Sequence, residues 1–466
     1  MKAKESCGIV AISSKSSVAR RIYFGLKVIQ HRGQEAAGIA VGRGRKVHCI
    51  KSGGLVHEVF TEDLLEELKG NRGIGHVRYS TTGMKTAEEA HPIMATTSKG
   101  DIAVCHNGEL VEVVAPRSLS EKKAWGIEGE SDTEIIVRIL AKELETSTNP
   151  ARAISRTLSK LRGSFSLAIL VGERLFVARD PLAIRPLCLG KMKDGYVAAS
   201  ETPVLDLLDA EFIRDLKPGE IAEIGVRQTR SYEMPRSKHT AHCMFEYVYF
   251  SRPDNFLDGK LVYDVRKRMG ESVAREHGTN ADVVIPVPDS GRAHSAGYAE
   301  ESGLPLVEGL IKNRFVERTF ILPEQREREM GVLLKLNPVR SLVERKSVVL
   351  VDDSIIRGTT MKNIIGILRK AGVREVHVRI GCPPIRHPCY LGIDMKTREQ
   401  FVANGRTEEE IGREIGADSL GYLSLEGLVN ALGFPMEDLC LGCLTGEYPV
   451  RISGEKVRHQ EKLMES

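Results

Sequence analysis

Two hydrophobic patterns follow each other in the second half of the chain, first a short continuous run and then a helical repeat. Residues 347–351 are apolar and mostly β-branched without alternation, which predicts a strand buried on both faces of a parallel sheet. Met361, Ile364, Ile365 and Leu368 then recur at positions i, i+3, i+4 and i+7, which predicts one buried face of a helix. The pattern therefore predicts a strand, a loop and a helix in that order.

The same alternation surrounds this unit. Helical periodicity predicts helices over 261–277 and 291–302, and short apolar runs predict strands over 282–287 and 375–380. Strands that alternate with helices are typical of a parallel sheet covered by helices. We expect the second half of the chain to have this α/β architecture, with the polar, aperiodic residues 227–242 as a linker before it.

The first half has shorter apolar runs broken by polar loops. An apolar run that begins at Cys7 predicts a strand, and a helical repeat covers residues 17–30. Residues 102–109 predict another strand, which ends at the turn sequence Asn107-Gly108.

Composition and net charge restrict the cellular compartment and the classes of binding partner that we expect for this chain. The chain has 466 residues, nine of them cysteines, a length that suits about three domains or two large ones. The net charge is +4 and no long basic run occurs, so nothing favours nucleic acid or a membrane surface as a partner. No apolar run approaches the roughly 18 residues of a membrane span, and the apolar residues 7–12 are too few for a signal peptide. We expect a cytoplasmic protein whose cysteines are reduced thiols, metal ligands or nucleophiles.

The loop between the strand and the helix described first has the chemistry of a phosphate site. A loop that leads into a helix N-terminus offers backbone N–H groups and the positive end of the helix dipole to an anion. Ser354, Thr359 and Thr360 add hydroxyl donors, and Arg357 adds positive charge. Gly358 lets the backbone approach the ligand closely.

Asp352 and Asp353 precede this loop at the carboxyl end of the strand, where ligands of parallel sheets bind. Two carboxylates repel a phosphate, so they fit the vicinal hydroxyls of a ribose or a magnesium ion, unless they are incidental acids. An NTP-binding P-loop needs the pattern G-x-x-x-x-G-K-[ST], which the chain lacks. The run from Val348 to Thr360 resembles the phosphoribosyl-pyrophosphate (PRPP) motif of type I phosphoribosyltransferases.

That resemblance assigns two further segments. The turn 288–291, with Asp289 and Ser290, suits the pyrophosphate of PRPP. The charged segment that begins near Arg318 is either a solvated surface segment or, as the resemblance implies, the mobile loop that brings cations to the pyrophosphate. Many family members carry a serine associated with the metal where this chain has Gly291, and Ser290 is the candidate substitute as a magnesium ligand beside the two aspartates.

Polar residues of the first half match one chemistry when they are taken together. Cys7 is either a small buried thiol or a nucleophile. Arg78 suits a bidentate clamp on a carboxylate, and Asp132 suits an ammonium group. Asn107 beside the N–H of Gly108 supplies the groups of an oxyanion hole. In this order these residues resemble the glutaminase domain of class II glutamine amidotransferases, which are N-terminal nucleophile hydrolases.

The resemblance covers residues 7–230 and implies a sandwich of two sheets between layers of helices (αββα). It implies that Cys7 is the nucleophile and that Asn107 and Gly108 form the oxyanion hole. The residues that bind or support glutamine are then Arg32, Arg78 and Asp132. The best base for the thiol is the cysteine's own α-amine, which exists only after residues 1–6 are removed. We therefore expect residues 1–6 to be a propeptide.

A second group of cysteines remains in the last part of the chain. A C-x-x-C pair such as Cys440 and Cys443 is by itself compatible with redox chemistry, with zinc or with no function. Some members of the family that the two halves resemble hold an iron–sulfur cluster with cysteines in the contexts of Cys243, Cys389, Cys440 and Cys443. The resemblance therefore favours a [4Fe–4S] cluster, although four thiolates equally suit a structural zinc ion.

The two halves in this order resemble the glutamine PRPP amidotransferase family over nearly the whole chain. The resemblance implies a class II glutaminase domain at 7–230, a parallel-sheet phosphoribosyltransferase domain with C-terminal helices at 243–453 and a charged tail at 454–466. It also implies a homotetrameric enzyme that makes 5-phosphoribosylamine, glutamate and pyrophosphate from glutamine and PRPP with Mg2+. Ammonia would pass between the sites, in the first committed step of purine synthesis.

Two alternative functions would require sequence features different from those of this chain. A glucosamine-phosphate synthase would have a sugar-isomerase half, against which the acidic motif at 348–360 argues. A PRPP-sensing regulator is expected to lose Cys7 or the cations of the mobile loop, and neither loss occurs.

Overall fold

The computed structural model describes residues 7–79, 90–114, 131–234, 237–313, 336–395 and 397–452. The predicted propeptide at 1–6, the charged tail at 454–466 and Arg318 lie outside the described residues.

The described strands, in chain order, are β1 (Gly8–Ser14), β2 (Ala36–Arg43), β3 (Lys46–Gly53), β4 (Arg72–Arg78), β5 (Ile93–Thr97), β6 (Gly100–Val113), β7 (Leu161–Val171), β8 (Arg174–Arg179), β9 (Cys188–Met192), β10 (Gly195–Ala199), β11 (Glu211–Asp215), β12 (Glu220–Ile224), β13 (Thr229–Glu233), β14 (His242–Cys243), β15 (Phe256–Leu257), β16 (Lys260–Leu261), β17 (Val283–Pro286), β18 (Leu310–Lys312), β19 (Leu336–Pro338), β20 (Ser347–Asp352), β21 (Glu375–Ile380), β22 (Ser419–Tyr422) and β23 (Leu439–Cys440).

The described α-helices are α1 (Ala19–Val28), α2 (Val56–Val59), α3 (Glu62–Glu67), α4 (Asp132–Thr146), α5 (Pro150–Leu158), α6 (Pro203–Leu207), α7 (Val262–Glu276), α8 (Arg292–Ser302), α9 (Arg340–Val343), α10 (Thr359–Lys370), α11 (Glu408–Ile415), α12 (Leu425–Leu432) and α13 (Gly442–Thr445). Short 3-10 turns occupy Gln30–Arg32, Arg398–Gln400 and Met436–Asp438, and a π-helical turn occupies Glu246–Phe250.

In the first half, two antiparallel sheets pack face to face between helices. The described strands run β11-β9-β10-β1-β4-β2-β3 in one sheet and β13-β12-β8-β7-β6-β5 in the other. Alternate residues of β1 face opposite layers, because side chains alternate along a strand. Ile9 and Ala11 lie between the sheets, whereas Val10 and Ile12 pack under α1. The αββα sandwich predicted for this half is confirmed.

In the second half, the described strands of the main sheet run β17-β20-β21-β22, all parallel. Val349 and Val351 of β20 face the core that contains α7 and α8, and Val348 and Leu350 face the core that contains α10. Both faces of β20 are therefore buried, which accounts for its continuous apolar sequence. The predicted helical face, from Met361 to Leu368, is also buried.

Two local predictions are wrong. The strand over 102–109 does not end at Asn107-Gly108, because β6 continues to Val113 and pairs with β7 through both residues. Pairing with a neighbouring strand overrides the local turn preference of this dipeptide. The polar segment 227–242 is not all linker, because β13 pairs with β12 at the edge of the second sheet. Because most side chains of this edge strand are exposed, its sequence lacks the alternation of apolar and polar residues by which a strand is predicted.

The two halves share part of one core. Ile184 from the first half is buried with Phe245 and Leu391 of the second half, and Val111 packs against the same cluster. In the part of the chain that the structure describes, no helix combines the length and the apolar character that crossing a membrane requires.

Candidate active sites

Cys7 lies at the start of β1, the strand between β10 and β4. The last residue of β4 is Arg78, and the pairing of β1 with β4 places that side chain beside the cysteine. The Cys7 thiol is half-buried, and desolvation raises its pKa above the usual range. The backbone N–H of Tyr79 and the charges of Arg78 and Arg32 oppose that rise by favouring the thiolate. The thiolate is the form that a nucleophilic cysteine needs.

Arg32 connects Cys7 to two buried carboxylates. Its Nε donates to the carbonyl oxygen of Cys7 over 3.2 Å, and its terminal nitrogens donate to Glu201 and Glu246, each with a contact of 2.6 Å. Burial by itself would lower the pKa of Arg32, but the two carboxylates raise it above its ordinary value. The contacts described for Arg32 therefore hold the backbone of Cys7, and the supporting role of Arg32 in the glutamine site stays a prediction.

Asn107 and Gly108 lie within β6. Asn107 is fully buried, and within the described residues neither atom of its side-chain amide has a hydrogen-bond partner. Gly108 has φ 145°, and a Cβ there would lie 2.1 Å from the carbonyl oxygen of Ser164, so only glycine fits. A buried amide without a partner costs free energy and calls for an explanation, which a transient ligand would supply.

Asp132 lies at the other end of this strand. It is the first residue of α4, whose capping box of Ser131 and Glu134 is confirmed, and its Oδ2 accepts from the backbone N–H of Leu110 over 2.8 Å. Cys105, which precedes Asn107 in β6, interacts electrostatically with Cys7. The start of β1, the end of β4 and the middle of β6 thus supply a thiol, a guanidinium and an amide, and the first turn of α4 supplies a carboxylate that is bonded to β6.

The second candidate site lies at the carboxyl end of β20. Residues from Asp352 to Met361, apart from Asp353 and Thr359, line a small cleft. Gly358 precedes α10 with φ 74°, a left-handed conformation that glycine adopts at no steric cost, and Thr359 and Thr360 are the first residues of the helix. The cleft therefore faces the N–H groups of a helix N-terminus, as a phosphate site requires. Arg357 lines the same cleft and contacts Gln400.

Two acids are buried at the mouth of this cleft. Asp352 and Asp353 are both nearly inaccessible to solvent, and Ser354 donates its hydroxyl hydrogen to Asp353. Ser290, from the turn after β17, donates to Oδ1 of Asp352 over 3.1 Å. A Cβ on Gly291 would lie 2.4 Å from the carbonyl oxygen of Val351, so this backbone has no room for the serine that many family members carry there.

Asp289 occupies the same turn but is exposed. Its carboxylate forms ion pairs with Lys312 over 2.9 Å and with Arg292 over 3.5 Å. Asp289 therefore holds cations at the rim of the cleft, in line with a site for a highly charged leaving group. Arg318, the predicted cation of the closing loop, lies outside the described residues.

The four cysteines of the predicted cluster, Cys243, Cys389, Cys440 and Cys443, lie in one region of the second half. Cys243 of β14 pairs in register with Cys440 of β23, and the backbone N–H of His387 donates to the carbonyl oxygen of Cys443 over 3.0 Å. Cys389 lies close enough for its charge to affect the other three thiols. Burial raises the pKa of all four thiols, and neighbouring cysteines raise it further for Cys243, Cys440 and Cys443, whereas the Arg185 charge opposes the rise at Cys389.

Sequence reasoning missed Glu246 and Arg185 as functional residues. Arg185 of the first half donates to Oε1 of Glu246 over 3.3 Å and also to the carbonyl oxygen of Leu391. The one signal for Glu246 is a single charge inside an otherwise apolar and aromatic run from Met244 to Phe250. Arg185 carried no such signal.

The fold and the two candidate sites define a class of protein, a glutamine amidotransferase joined in one chain to a phosphoribosyltransferase. The amidophosphoribosyltransferase of Methanocaldococcus jannaschii is 49% identical over 472 residues, which covers 98% of this chain and 100% of the relative. The chain belongs to the amidophosphoribosyltransferase family. It is an enzyme of the glutamine-dependent glycosyltransferase class, as predicted.

Further comparisons agree with both halves of this assignment. Residues 76–206 match the model of a glutamine amidotransferase domain, and residues 253–389 match that of a phosphoribosyl transferase domain. The amidophosphoribosyltransferase of Bacillus subtilis is 42% identical, covering 97% of this chain and 96% of the relative. A solved structure of glutamine PRPP amidotransferase from B. subtilis, complexed with ADP and GMP, superposes with a TM-score of 0.88 at 41% identity and covers 96% of this chain and 98% of that one.

Proposed function

We propose that this enzyme transfers the amide nitrogen of glutamine to C1 of PRPP, making 5-phosphoribosylamine, glutamate and pyrophosphate in the first committed step of purine synthesis. The observation that carries the proposal is the buried, unpartnered amide of Asn107 near a cysteine at the start of a strand, in the same chain as the acid-rich phosphate loop. Each half supplies one part of the reaction.

In the glutamine half, the Cys7 thiolate attacks the carboxamide carbon and forms a thioester as ammonia leaves. The oxyanion accepts hydrogen bonds from the Asn107 side-chain amide and from the N–H of Gly108. Arg78 holds the α-carboxylate of glutamine and Asp132 its α-ammonium. The α-amine of Cys7 takes the thiol proton and passes it to the departing nitrogen, which requires the removal of residues 1–6. Water then hydrolyses the thioester, which releases glutamate and restores the thiol. Arg32 supports this arrangement through the Cys7 carbonyl group.

In the transferase half, the loop from Ser354 to Thr360 binds the 5-phosphate of PRPP with Arg357, the backbone N–H groups and the hydroxyls. Asp352 and Asp353 bind the ribose hydroxyls. Asp289, Ser290 and Arg318 bind the pyrophosphate and orient it for departure. Little covalent chemistry is needed, because positioning of ammonia against C1 supplies most of the rate enhancement.

A magnesium ion fits the acids at the mouth of the cleft. Asp352, Asp353 and Ser290 offer three oxygen atoms at one place, and magnesium prefers oxygen ligands. When bound, Mg2+ neutralises charge on the leaving pyrophosphate.

Ammonia passes from one half to the other through the interior. Free ammonia that reached water at neutral pH would become ammonium, which is not a nucleophile. The apolar core that Ile184 and Val111 of the first half share with Phe245 and Leu391 of the second supports an internal, water-excluding path.

The four cysteines of the second half fit a [4Fe–4S] cluster. Cys243, Cys389 and Cys443 are buried and Cys440 is half-buried, and a bound cation would offset the cost of deprotonating these thiols. Within the described ranges, no three His, Cys, Asp or Glu residues converge as they would around a single metal ion. Four thiolates suit a [4Fe–4S] cluster and a structural zinc ion equally. The resemblance to cluster-bearing family members is what favours the cubane.

We place the enzyme in the cytoplasm as a homotetramer, following the family resemblance. None of its nine cysteines forms a disulfide in the structure, which agrees with a reducing compartment.

A stoichiometric assay tests the function. Purified enzyme with glutamine, PRPP and Mg2+ is expected to release glutamate and pyrophosphate in equal amounts, with pyrophosphate release dependent on glutamine or ammonia. Glutamate release with no pyrophosphate under any nitrogen source would refute the transferase assignment.

A further inference from the structure

Glu246 belongs to the second half of the chain but is buried against the glutamine site of the first. It is 1% exposed and lies in the π-helical turn that follows β14. Its carboxylate accepts from Arg32 over 2.6 and 3.0 Å, from Arg185 over 3.3 Å and from the Ser251 hydroxyl over 2.9 Å. Both guanidinium groups come from the first half, so a single acid of the transferase half holds two buried cations of the glutaminase half.

The first of these cations, Arg32, connects Glu246 to Cys7, the proposed nucleophile. Glu246 and Glu201 hold the terminal nitrogens of Arg32, while Nε of Arg32 donates to the carbonyl oxygen of Cys7. Because the guanidinium is planar and rigid, fixing its terminal nitrogens also fixes the direction of Nε. The position of the Cys7 backbone therefore depends on Glu246.

The second cation, Arg185, connects Glu246 to the strand segment of Asn107 and Gly108, the proposed oxyanion hole. Arg185 donates to the carbonyl oxygen of Leu391, which also accepts from the Ser164 hydroxyl over 2.8 Å. That hydroxyl in turn accepts from the backbone N–H of Glu109, the residue after Gly108. A Cβ on Gly392 would lie 3.1 Å from Gly108 and 2.9 Å from Arg185, so these backbones are in close contact.

The Glu246 carboxylate contributes to the charge balance of this arrangement. Arg32 and Arg185 are both fully buried and repel each other, and Glu201 contacts only the first of them among the contacts described. Without the Glu246 carboxylate, Arg32 would keep Glu201, and Arg185 would keep the nearby thiols of Cys243 and Cys389. A buried charge that loses a carboxylate partner moves or draws in water.

We propose that Glu246 is a positioning residue for the glutamine half-reaction, which holds Cys7 and the Asn107–Gly108 pair in mutual register from the transferase side. The inference rests on the proposed function. Glu246 touches neither substrate in this account and acts only through Arg32 and Arg185.

Glu246→Gln in the full chain tests the proposal, because it keeps the shape of the side chain and removes the charge. We expect kcat for glutamine hydrolysis to fall roughly tenfold to hundredfold, since small misplacements of reacting groups have effects of this size. KM for glutamine should stay within about threefold, because Arg78 and Asp132 are untouched. Synthesis from ammonia should stay within about threefold of the wild type. Alkylation of Cys7 by a diazoketone analogue of glutamine should slow in its maximal rate, with its half-saturating concentration unchanged.

Two further variants complete the test. Glu246→Asp keeps the charge with a shorter side chain, and it should restore part of the lost kcat and serve as the test variant if Glu246→Gln does not fold. Glu220→Gln is the matched control, because Glu220 is also a buried acid paired with an arginine, Arg214, over 2.6 Å, and it should have normal activity.

An unchanged glutaminase kcat in Glu246→Gln would overturn the inference, and so would an equal loss of glutamine- and ammonia-dependent synthesis. A wild-type enzyme without any glutamine-dependent synthesis would instead refute the proposed function, so the two failures are distinguishable.

Discussion

The hydroxyl of Ser290 donates a hydrogen bond to Oδ1 of Asp352 over 3.1 Å, which joins the turn after β17 to the acid at the end of β20. The adjacent Gly291 cannot be replaced by the serine of many relatives, because its Cβ would lie 2.4 Å from the Val351 carbonyl oxygen. Ser290 is therefore the proposed source of the hydroxyl ligand of the metal in this chain.

Ser290→Ala should raise the Mg2+ concentration needed for half-maximal ammonia-dependent synthesis by roughly tenfold, since a hydrogen bond to a charged group contributes about 1.5–3 kcal/mol. The measurement is a magnesium titration of pyrophosphate release at fixed PRPP. Ser302→Ala, at the far end of α8, is the matched control and should titrate like the wild type. A Ser290→Ala enzyme with an unchanged magnesium requirement would remove Ser290 from the proposed ligand set.

The double variant Asp352→Asn with Asp353→Asn should abolish synthesis of phosphoribosylamine with either nitrogen source. Both acids are buried at the mouth of the phosphate cleft, and asparagine keeps their shape while it removes the charge that a cation and the ribose hydroxyls require. Basal glutaminase activity should survive, because the residues of the glutamine site lie on other elements. Asp264→Asn, on the first turn of α7, is the control for loss of one acid. Normal transfer by the double variant would mean that the acidic pair has another role.

The pH dependence of stability should reflect Asp215. Burial and the neighbouring Asp258 raise the pKa of Asp215 to about 7, with Arg179 and His242 opposing the rise. A carboxyl group whose pKa is higher in the folded state than in the unfolded state stabilises the fold at low pH, and this contribution is lost as the pH rises towards 7 and above.

Asp215→Asn should therefore be more stable than the wild type at pH 8 by about 1 kcal/mol or more, which corresponds to roughly 2–4 °C in Tm for a domain of this size. The advantage should shrink at pH 5. Calorimetry of both proteins from pH 5 to 8 checks this, and parallel Tm curves would contradict it.

The cysteine group predicts a brown protein after anaerobic purification, with about four irons and matching sulfide per chain. Cys440→Ser should lose the colour and destabilise the transferase half, because metal binding is coupled to folding. Cys382→Ala removes a buried thiol outside the proposed ligand set and should retain the iron. One zinc ion per chain without sulfide would exclude the cluster.

The residues whose neighbours are near in sequence were predictable, and those defined by long-range contacts were not. The helix face from Met361 to Leu368 and the capping box at Ser131 follow from local periodicity and local hydrogen bonds. The prediction of a turn at Asn107-Gly108 was wrong, because pairing with β7 determines the backbone conformation there. Glu246 was missed since it binds Arg32, which lies 214 residues away in the sequence.

The central claim is that two separable sites act in series, with Cys7 as the entry point for nitrogen. Cys7→Ala removes the thiol that forms the glutamyl thioester and leaves Asp352, Asp353 and the phosphate loop unchanged. Removal of a covalent nucleophile commonly lowers the rate by several orders of magnitude. The expectation extends to the N-terminus, because mature wild-type enzyme should begin at Cys7 if the α-amine is the base.

The most direct measurement compares pyrophosphate release by Cys7→Ala and wild-type enzyme, with glutamine at neutral pH and with high ammonium at raised pH. We predict that the variant loses the glutamine-dependent rate by several orders of magnitude and keeps the ammonium-dependent rate near that of the wild type. A Cys7→Ala enzyme that still uses glutamine would contradict the account, because the glutaminase nucleophile would then be a different residue.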